Sequence, residues 1–126
     1  MQQLTPNLMV TDVAATLAWY QQHFDAEVLA TVPDAAPYNW AMVRIGAVAL
    51  MFQEQANLTA EYPVLATQQP GGGLTLFANV ADVPTLYERL RHHVTVLNEP
   101  HRTFYGTLEI AIQDPNGYVL TLAEAT

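Results

Sequence analysis

The sequence predicts an α+β fold made of two β-α-β-β-β modules in tandem, and three observations carry that prediction. Leu4-Thr5, Val10 and Asp12-Val13 recur as Leu74-Thr75, Val80 and Asp82-Val83, a constant shift of 70 residues. Each copy passes directly from an apolar, strand-like run into apolar positions at helical spacing. The second copy ends on Asp114-Pro115-Asn116-Gly117 between two strand-like runs, which is a hairpin signal.

In the first copy, Leu4 to Thr11 reads as a largely buried strand. Asp12 then stands where its carboxylate can accept the free N–H groups of a helix's first turn. Val13, Leu17, Tyr20 and Phe24 fall on one face of that helix. Three strands follow, Glu27 to Val32, Tyr38 to Ile45 and Val48 to Gln53, separated by the Pro33 to Pro37 loop and a tight turn at Gly46. The second copy repeats the plan. Asp82 is the cap, Pro84 sits in the first turn where its missing N–H costs little, and Val83, Leu86, Tyr87 and Leu90 point inward. Arg89, Arg91, His92 and His93 gather at the end of this helix, where cations complement its dipole. Its strands are Val94 to Leu97, Thr107 to Gln113 and Tyr118 to Ala123, the last two joined by the proline-preset turn.

Residues 1–126 are therefore expected to form one domain, with module one at 1–53, a linker at 54–73 and module two at 74–126. The linker holds two prolines and Gly71-Gly72-Gly73. No strand precedes those glycines and no lysine follows them, so they read as a hinge and not a phosphate loop.

Charge narrows the partners. The chain has no lysine, four arginines (Arg44, Arg89, Arg91, Arg102) and twelve acidic residues, a net charge of −8. That field repels nucleic acid and anionic membranes and favours cationic ligands. Only 13% of residues are charged, against about a quarter in typical domains, so the surface is expected to self-associate. With no cysteine there is neither disulfide nor thiol chemistry. The sequence shows no basic leader and no long apolar run, and a cytoplasmic location without a membrane partner is the expectation.

Leu8-Met9-Val10-Thr11-Asp12-Val13 through Trp19-Tyr20, Val80-Ala81-Asp82-Val83 through Leu90, and Tyr105-Gly106-Thr107-Leu108-Glu109 followed by Asp114-Pro115-Asn116-Gly117-Tyr118 together resemble the vicinal oxygen chelate superfamily. That group includes glyoxalase I, extradiol dioxygenases, fosfomycin-resistance enzymes and bleomycin-resistance proteins. The last are the closest in type, and the resemblance spans essentially the whole chain. It implies that the modules curl into a half-barrel mixed sheet with an open cleft, usually within a homodimer. Enzymes of the group place a divalent metal in the cleft as a Lewis acid. Their ligands are commonly His and Glu, from the first and last strands of each module. Carried onto this sequence, those positions are Thr5, Met51, Thr75 and Thr121, none of which is a strong ligand for such ions. His23, His92, His93 and His101 show no spacing that would replace them. The resemblance thus leads to an expectation of no metal and no other cofactor.

Tyr38, Trp40 and Met42 alternate on one face of their strand, Leu50 and Phe52 alternate on the next, and Phe104-Tyr105 precedes the seventh strand. Either face could be core or cleft wall. As a wall, these side chains would form an apolar slot for a planar ligand with polar tips on Tyr and Trp. Glu109 is the strand acid placed to meet a cation or act as a general base, exposure on the strand's outer edge being its other reading. Asp12, Asp82 and Asp114 are accounted for as two caps and a turn, and no Ser-His-Asp or Cys-His set can be assembled.

The expected function is metal-independent binding of a small, partly aromatic molecule, with cations favoured. This would be antibiotic sequestration of the bleomycin-resistance type, using Tyr38, Trp40, Met42, Phe52, Phe104, Tyr105 and Glu109. The alternatives are a glyoxalase-type lyase or isomerase, or a dioxygenase, with a non-standard metal site, and a structural or regulatory dimer whose cleft is filled. The expected partners are a small-molecule ligand and a second copy of the chain.

Overall fold

Pro6 carries no N–H, and in the computed structural model, which describes residues 1–126, strand pairing starts just after it. The Pro6 carbonyl accepts from Met51 N at 2.8 Å, and strand β1 runs Asn7–Val10. The expected strand from Leu4 is shortened accordingly, and Leu4 is exposed. The chain forms two compact units, Met1–Gly71 and Gly72–Thr126.

In the first unit, helix α1 spans Val13–Phe24, and Asp12 Oδ1 caps it by accepting from Ala15 N at 3.0 Å. Asp25 ends it in the left-handed region at φ +53°, which a short polar side chain tolerates. Val13, Thr16, Leu17, Tyr20 and His23 are buried, while Phe24 is only half-buried. Strands β2 (Glu27–Val32), β3 (Trp40–Ile45) and β4 (Val48–Glu54) complete a sheet of order β1-β4-β3-β2, with β1 parallel to β4. Cross-strand partners share a face, so the pairs Leu8–Phe52 and Ala41–Phe52 put these three side chains on one side. That side is covered by α1, where Phe52 stacks on Tyr20 at 5.0 Å between centroids.

The segment expected as a linker contains helix α2, Gln55–Glu61, and a single 3-10 turn at Pro63–Leu65. Both oxygens of Glu54 cap α2, from Ala56 N at 3.0 Å and Asn57 N at 2.8 Å. Leu58 is its buried anchor, and the helix packs on β1 and β4.

The second unit repeats the topology. Strands β5 (Thr75–Asn79), β6 (Thr95–Arg102), β7 (Thr107–Gln113) and β8 (Val119–Ala125) pair in the order β5-β8-β7-β6, with β5 parallel to β8. Helix α3, Val83–Leu90, is capped twice. Asp82 accepts from Thr85 N (3.0 Å) and Thr85 Oγ1 (2.8 Å), which hold its carboxyl below the usual range, and Glu124 accepts from Val83 N at 3.1 Å. Ile110, Ile112, Leu120 and Leu122 are buried together on the helix side. Strand β6 runs five residues past its expected end at Leu97, with register shifts after Val96 and Asn98. Pro100 is tolerated there because β6 is an edge strand and its missing N–H faces no neighbour. At the β7–β8 turn, Asp114 Oδ1 accepts from Asn116 N and Tyr118 N, both at 2.9 Å, and only Gly117 takes a positive φ, +92°.

Both sheets are mixed and four-stranded, and with three helices the fold is α+β. No helix is long and apolar enough to cross a membrane.

Candidate functional site

Strand β7 lies between β6 and β8, so both its edges are paired, and its residues from Glu109 to Ile112 are buried on either face. Its even positions, Ile110 and Ile112, face α3. Its odd positions point the other way, where Ala111 pairs with Thr121, which in turn pairs with Phe77. Glu109 is on this second face, and it is only 5% exposed. A carboxylate in such a place needs compensation.

Compensation comes from the hairpin between β6 and β7. Thr103 N donates to Thr107 O at 2.9 Å, and Gly106 takes φ +88°, a conformation open to glycine, which turns the chain back on itself. Tyr105 Oη then donates to Glu109 Oε2 at 2.6 Å, and Thr107 Oγ1 donates to the same oxygen at 2.7 Å. Because Thr107 has one hydroxyl proton and gives it to the carboxylate, the 2.6 Å contact between Thr103 Oγ1 and Thr107 Oγ1 has Thr103 as its donor.

The Tyr105 hydrogen bond is the main cause holding the Glu109 carboxyl below its ordinary value. Thr107 and the charge of His101, its cross-strand partner, act in the same direction, and burial opposes them. The same bond raises the Tyr105 phenol and keeps it neutral. His101 Nδ1 lies 2.8 Å from Glu99 O, and a carbonyl only accepts, so Nδ1 carries the proton. Glu109 Oε1 accepts no hydrogen bond from the protein. Since no enclosed side-chain oxygen lacks a partner, Oε1 is open to solvent. Phe104 is fully exposed and meets the Tyr105 ring edge-on at 5.1 Å.

The structure therefore joins Glu109 to Tyr105 by a hydrogen bond and Tyr105 to its neighbour Phe104 by a ring contact. In the first unit, Trp40 and Met42 share the sheet face opposite α1 and are half-buried, with Gln53 and Met51 as their cross-strand partners on β4. Tyr38 precedes β3 and is also half-buried. Phe52 is on the other face, fully enclosed against Tyr20, and belongs to the core there.

Sequence reasoning gave no role to Gln53 or to the hydroxyls around Glu109. Gln53 is buried; its Oε1 accepts from Asn7 at 2.8 Å, and its Nε2 donates to Asn57 Oδ1 (2.7 Å) and Glu61 Oε1 (2.9 Å), tying β1, β4 and α2 together. The hydroxyl set did leave a signal, since Thr103, Tyr105, Thr107 and Glu109 are polar residues at every second position.

The four positions that hold metal in enzymes of the resembled group do not fit one here. Thr5 precedes β1, Met51 is in β4, Thr75 opens β5 and Thr121 is in β8, offering three hydroxyls and a thioether. No three His, Cys, Asp or Glu residues gather anywhere in the chain to replace them.

The family model described as Glyoxalase/Bleomycin resistance protein/Dioxygenase superfamily matches residues 2–122. The chain belongs to that superfamily. Solved structures similar in fold include a protein of unknown function from Agrobacterium tumefaciens (TM-score 0.81, 18% identity, covering 100% of this chain and 95% of that one). A glyoxalase-related enzyme from Fulvimarina pelagi matches with TM-score 0.80 at 22% identity, over 98% of this chain and 88% of the other. The genomically encoded fosfomycin resistance protein FosX from Listeria monocytogenes matches with TM-score 0.74 at 17% identity, over 100% and 94%. No curated protein matches the chain in sequence. Within the glyoxalase superfamily frame, the chain keeps the duplicated β-α-β-β-β topology and carries different chemistry at the four metal positions.

Proposed function

We propose that this superfamily member binds a small, partly aromatic cation without a metal, as an antibiotic-sequestering protein of the bleomycin-resistance type. One observation carries the reading: Glu109 is a buried carboxylate with one oxygen accepting two hydroxyl hydrogen bonds and the other open, and one of those hydroxyls is that of Tyr105, whose exposed ring meets exposed Phe104. A general base works best when its pKa is raised toward neutrality, whereas Glu109 is shifted down, which suits a fixed anion that pairs with a cation. Phe104 and Tyr105 supply faces for stacking and cation–π contact. On the first unit, taken by itself, Trp40, Met42 and Tyr38 are proposed to offer apolar contact area of the kind that accepts a planar ring. The likeness in fold to FosX, a fosfomycin resistance protein, supports an antibiotic as the class of ligand.

We also propose that the protein works as a cytoplasmic homodimer. Support comes from its low charge and from large apolar side chains left exposed on the edge strands, Val32 on β2 and Phe77 on β5.

The test is calorimetric titration with a panel of aromatic cations, bleomycin among them, in buffer containing chelator, followed by chromatography of the ligand after long incubation. At least one member is expected to bind saturably and be recovered unchanged. Absence of binding across the panel, binding that needs added metal, or conversion of the ligand contradicts the proposal.

A further inference from the structure

Resting on that ligand-binding reading, we propose that the Glu109 site selects protonated amines over guanidinium and amidinium groups, because only one of its two carboxylate oxygens is available. A guanidinium earns its advantage over an ammonium by setting two parallel N–H donors against both oxygens of a carboxylate. Glu109 cannot be met that way. Oε2 already accepts from Tyr105 Oη at 2.6 Å and from Thr107 Oγ1 at 2.7 Å, which uses both of its lone pairs.

The two donors are themselves held. Thr107 is bonded to Thr103, and the Thr103–Thr107 backbone bond together with the left-handed Gly106 fixes the hairpin that carries Tyr105. Oε1 remains as a single acceptor. An ammonium is a compact charge that needs one N–H directed at one oxygen, and its other protons stay with water or lie over the Phe104 and Tyr105 rings. A flat guanidinium approaching Oε1 drives its second N–H toward an oxygen that is already filled, so it loses the second bond and with it about tenfold in affinity. A quaternary ammonium has no N–H for Oε1 and retains only the charge and ring contacts.

The experiment uses the full chain with four matched probes: 2-phenylethylammonium, 2-phenylethylguanidinium, 2-phenylethyltrimethylammonium and neutral 2-phenylethanol, titrated by calorimetry at pH 7. The ammonium is expected to bind about tenfold more tightly than the guanidinium. The quaternary ion should be weaker than the ammonium, and the alcohol weakest. Tyr105→Phe and Thr107→Val each remove one donor from Oε2 while keeping shape. The pair of substitutions should shrink the preference to threefold or less, or invert it, by opening Oε2 to the guanidinium fork. Tyr105 is largely exposed, so Tyr105→Phe alone serves as the version secure in its folding, checked by thermal melt, and a partial narrowing is expected from it.

A wild-type protein that binds the guanidinium as tightly as the ammonium overturns the selectivity while leaving the ligand-binding reading intact. A preference unchanged in folded Tyr105→Phe and in the pair refutes the occupied oxygen as its cause. If none of the probes binds, both the selectivity and the ligand-binding reading fail.

Discussion

Truncating Phe52 and Trp40 separately distinguishes the two faces of the first sheet. Phe52 is 0% exposed, stacked on Tyr20 at 5.0 Å and flanked across the strands by Leu8 and Ala41, both also buried. Phe52→Ala leaves a cavity that the paired backbones of β1, β3 and β4 cannot collapse to fill, so the loss is about 3–5 kcal/mol. At about 4 °C per kcal/mol for a domain of this size, Tm falls by about 12–20 °C. Trp40 is half-buried on the opposite face. Trp40→Ala opens no closed cavity and should cost about 1–2 kcal/mol in lost apolar contact. In exchange, it should weaken binding of a planar ligand by about 1–3 kcal/mol if stacking is the main loss. Thermal melts followed by circular dichroism read the first pair of numbers and calorimetry reads the last. If Trp40→Ala is as destabilising as Phe52→Ala, the face assignment is inverted and the apolar strip proposed for a ligand is core.

Three further outcomes follow from the same geometry. The folded-state pKa of Glu109 is lowered below its ordinary 4.5, so its contribution to stability is present above that pH and is lost as pH falls through the folded value. Urea melts of wild type against Glu109→Gln should show a wild-type advantage at pH 7 that shrinks below pH 4.5, and an advantage that grows with acid contradicts this. Asp114→Ala removes the acceptor for Asn116 N and Tyr118 N and should cost about 1–3 kcal/mol in chemical denaturation, with a near-zero change arguing that the turn forms without it. Light scattering should report twice the 13.9 kDa chain mass, and a monomer at micromolar concentration counts against the dimer.

The shift of 70 residues made the topology legible, because a repeated cap-helix-strand pattern demands the same strand order twice, and β5-β8-β7-β6 mirrors β1-β4-β3-β2. Element ends were less legible where proline decided them, Pro6 cutting β1 short and Pro100 being admitted only because β6 is an edge. Helix α2 was hidden because its short run, with an unusual Glu54 cap, lies in a stretch whose prolines and glycines read as linker. In the site, the alternation at Tyr38, Trp40 and Met42 defined a shared face without saying which. That choice depended on a contact between Tyr20 and Phe52, distant in sequence, which periodicity does not encode. Glu109 was singled out by its strand position. Its partners were not, because the reach of Tyr105 and Thr107 to one oxygen depends on the left-handed Gly106 and the hairpin it turns.

The most direct test of metal-free cation binding is calorimetric titration of 2-phenylethylammonium into wild type and Glu109→Gln, each stripped exhaustively with chelator and verified by elemental analysis. The account predicts that stripped wild type binds with undiminished affinity, that added zinc, nickel, iron or manganese does not strengthen it, and that Glu109→Gln weakens it tenfold or more. Affinity that disappears on stripping and returns with one metal ion per chain, or that is untouched by Glu109→Gln, contradicts it.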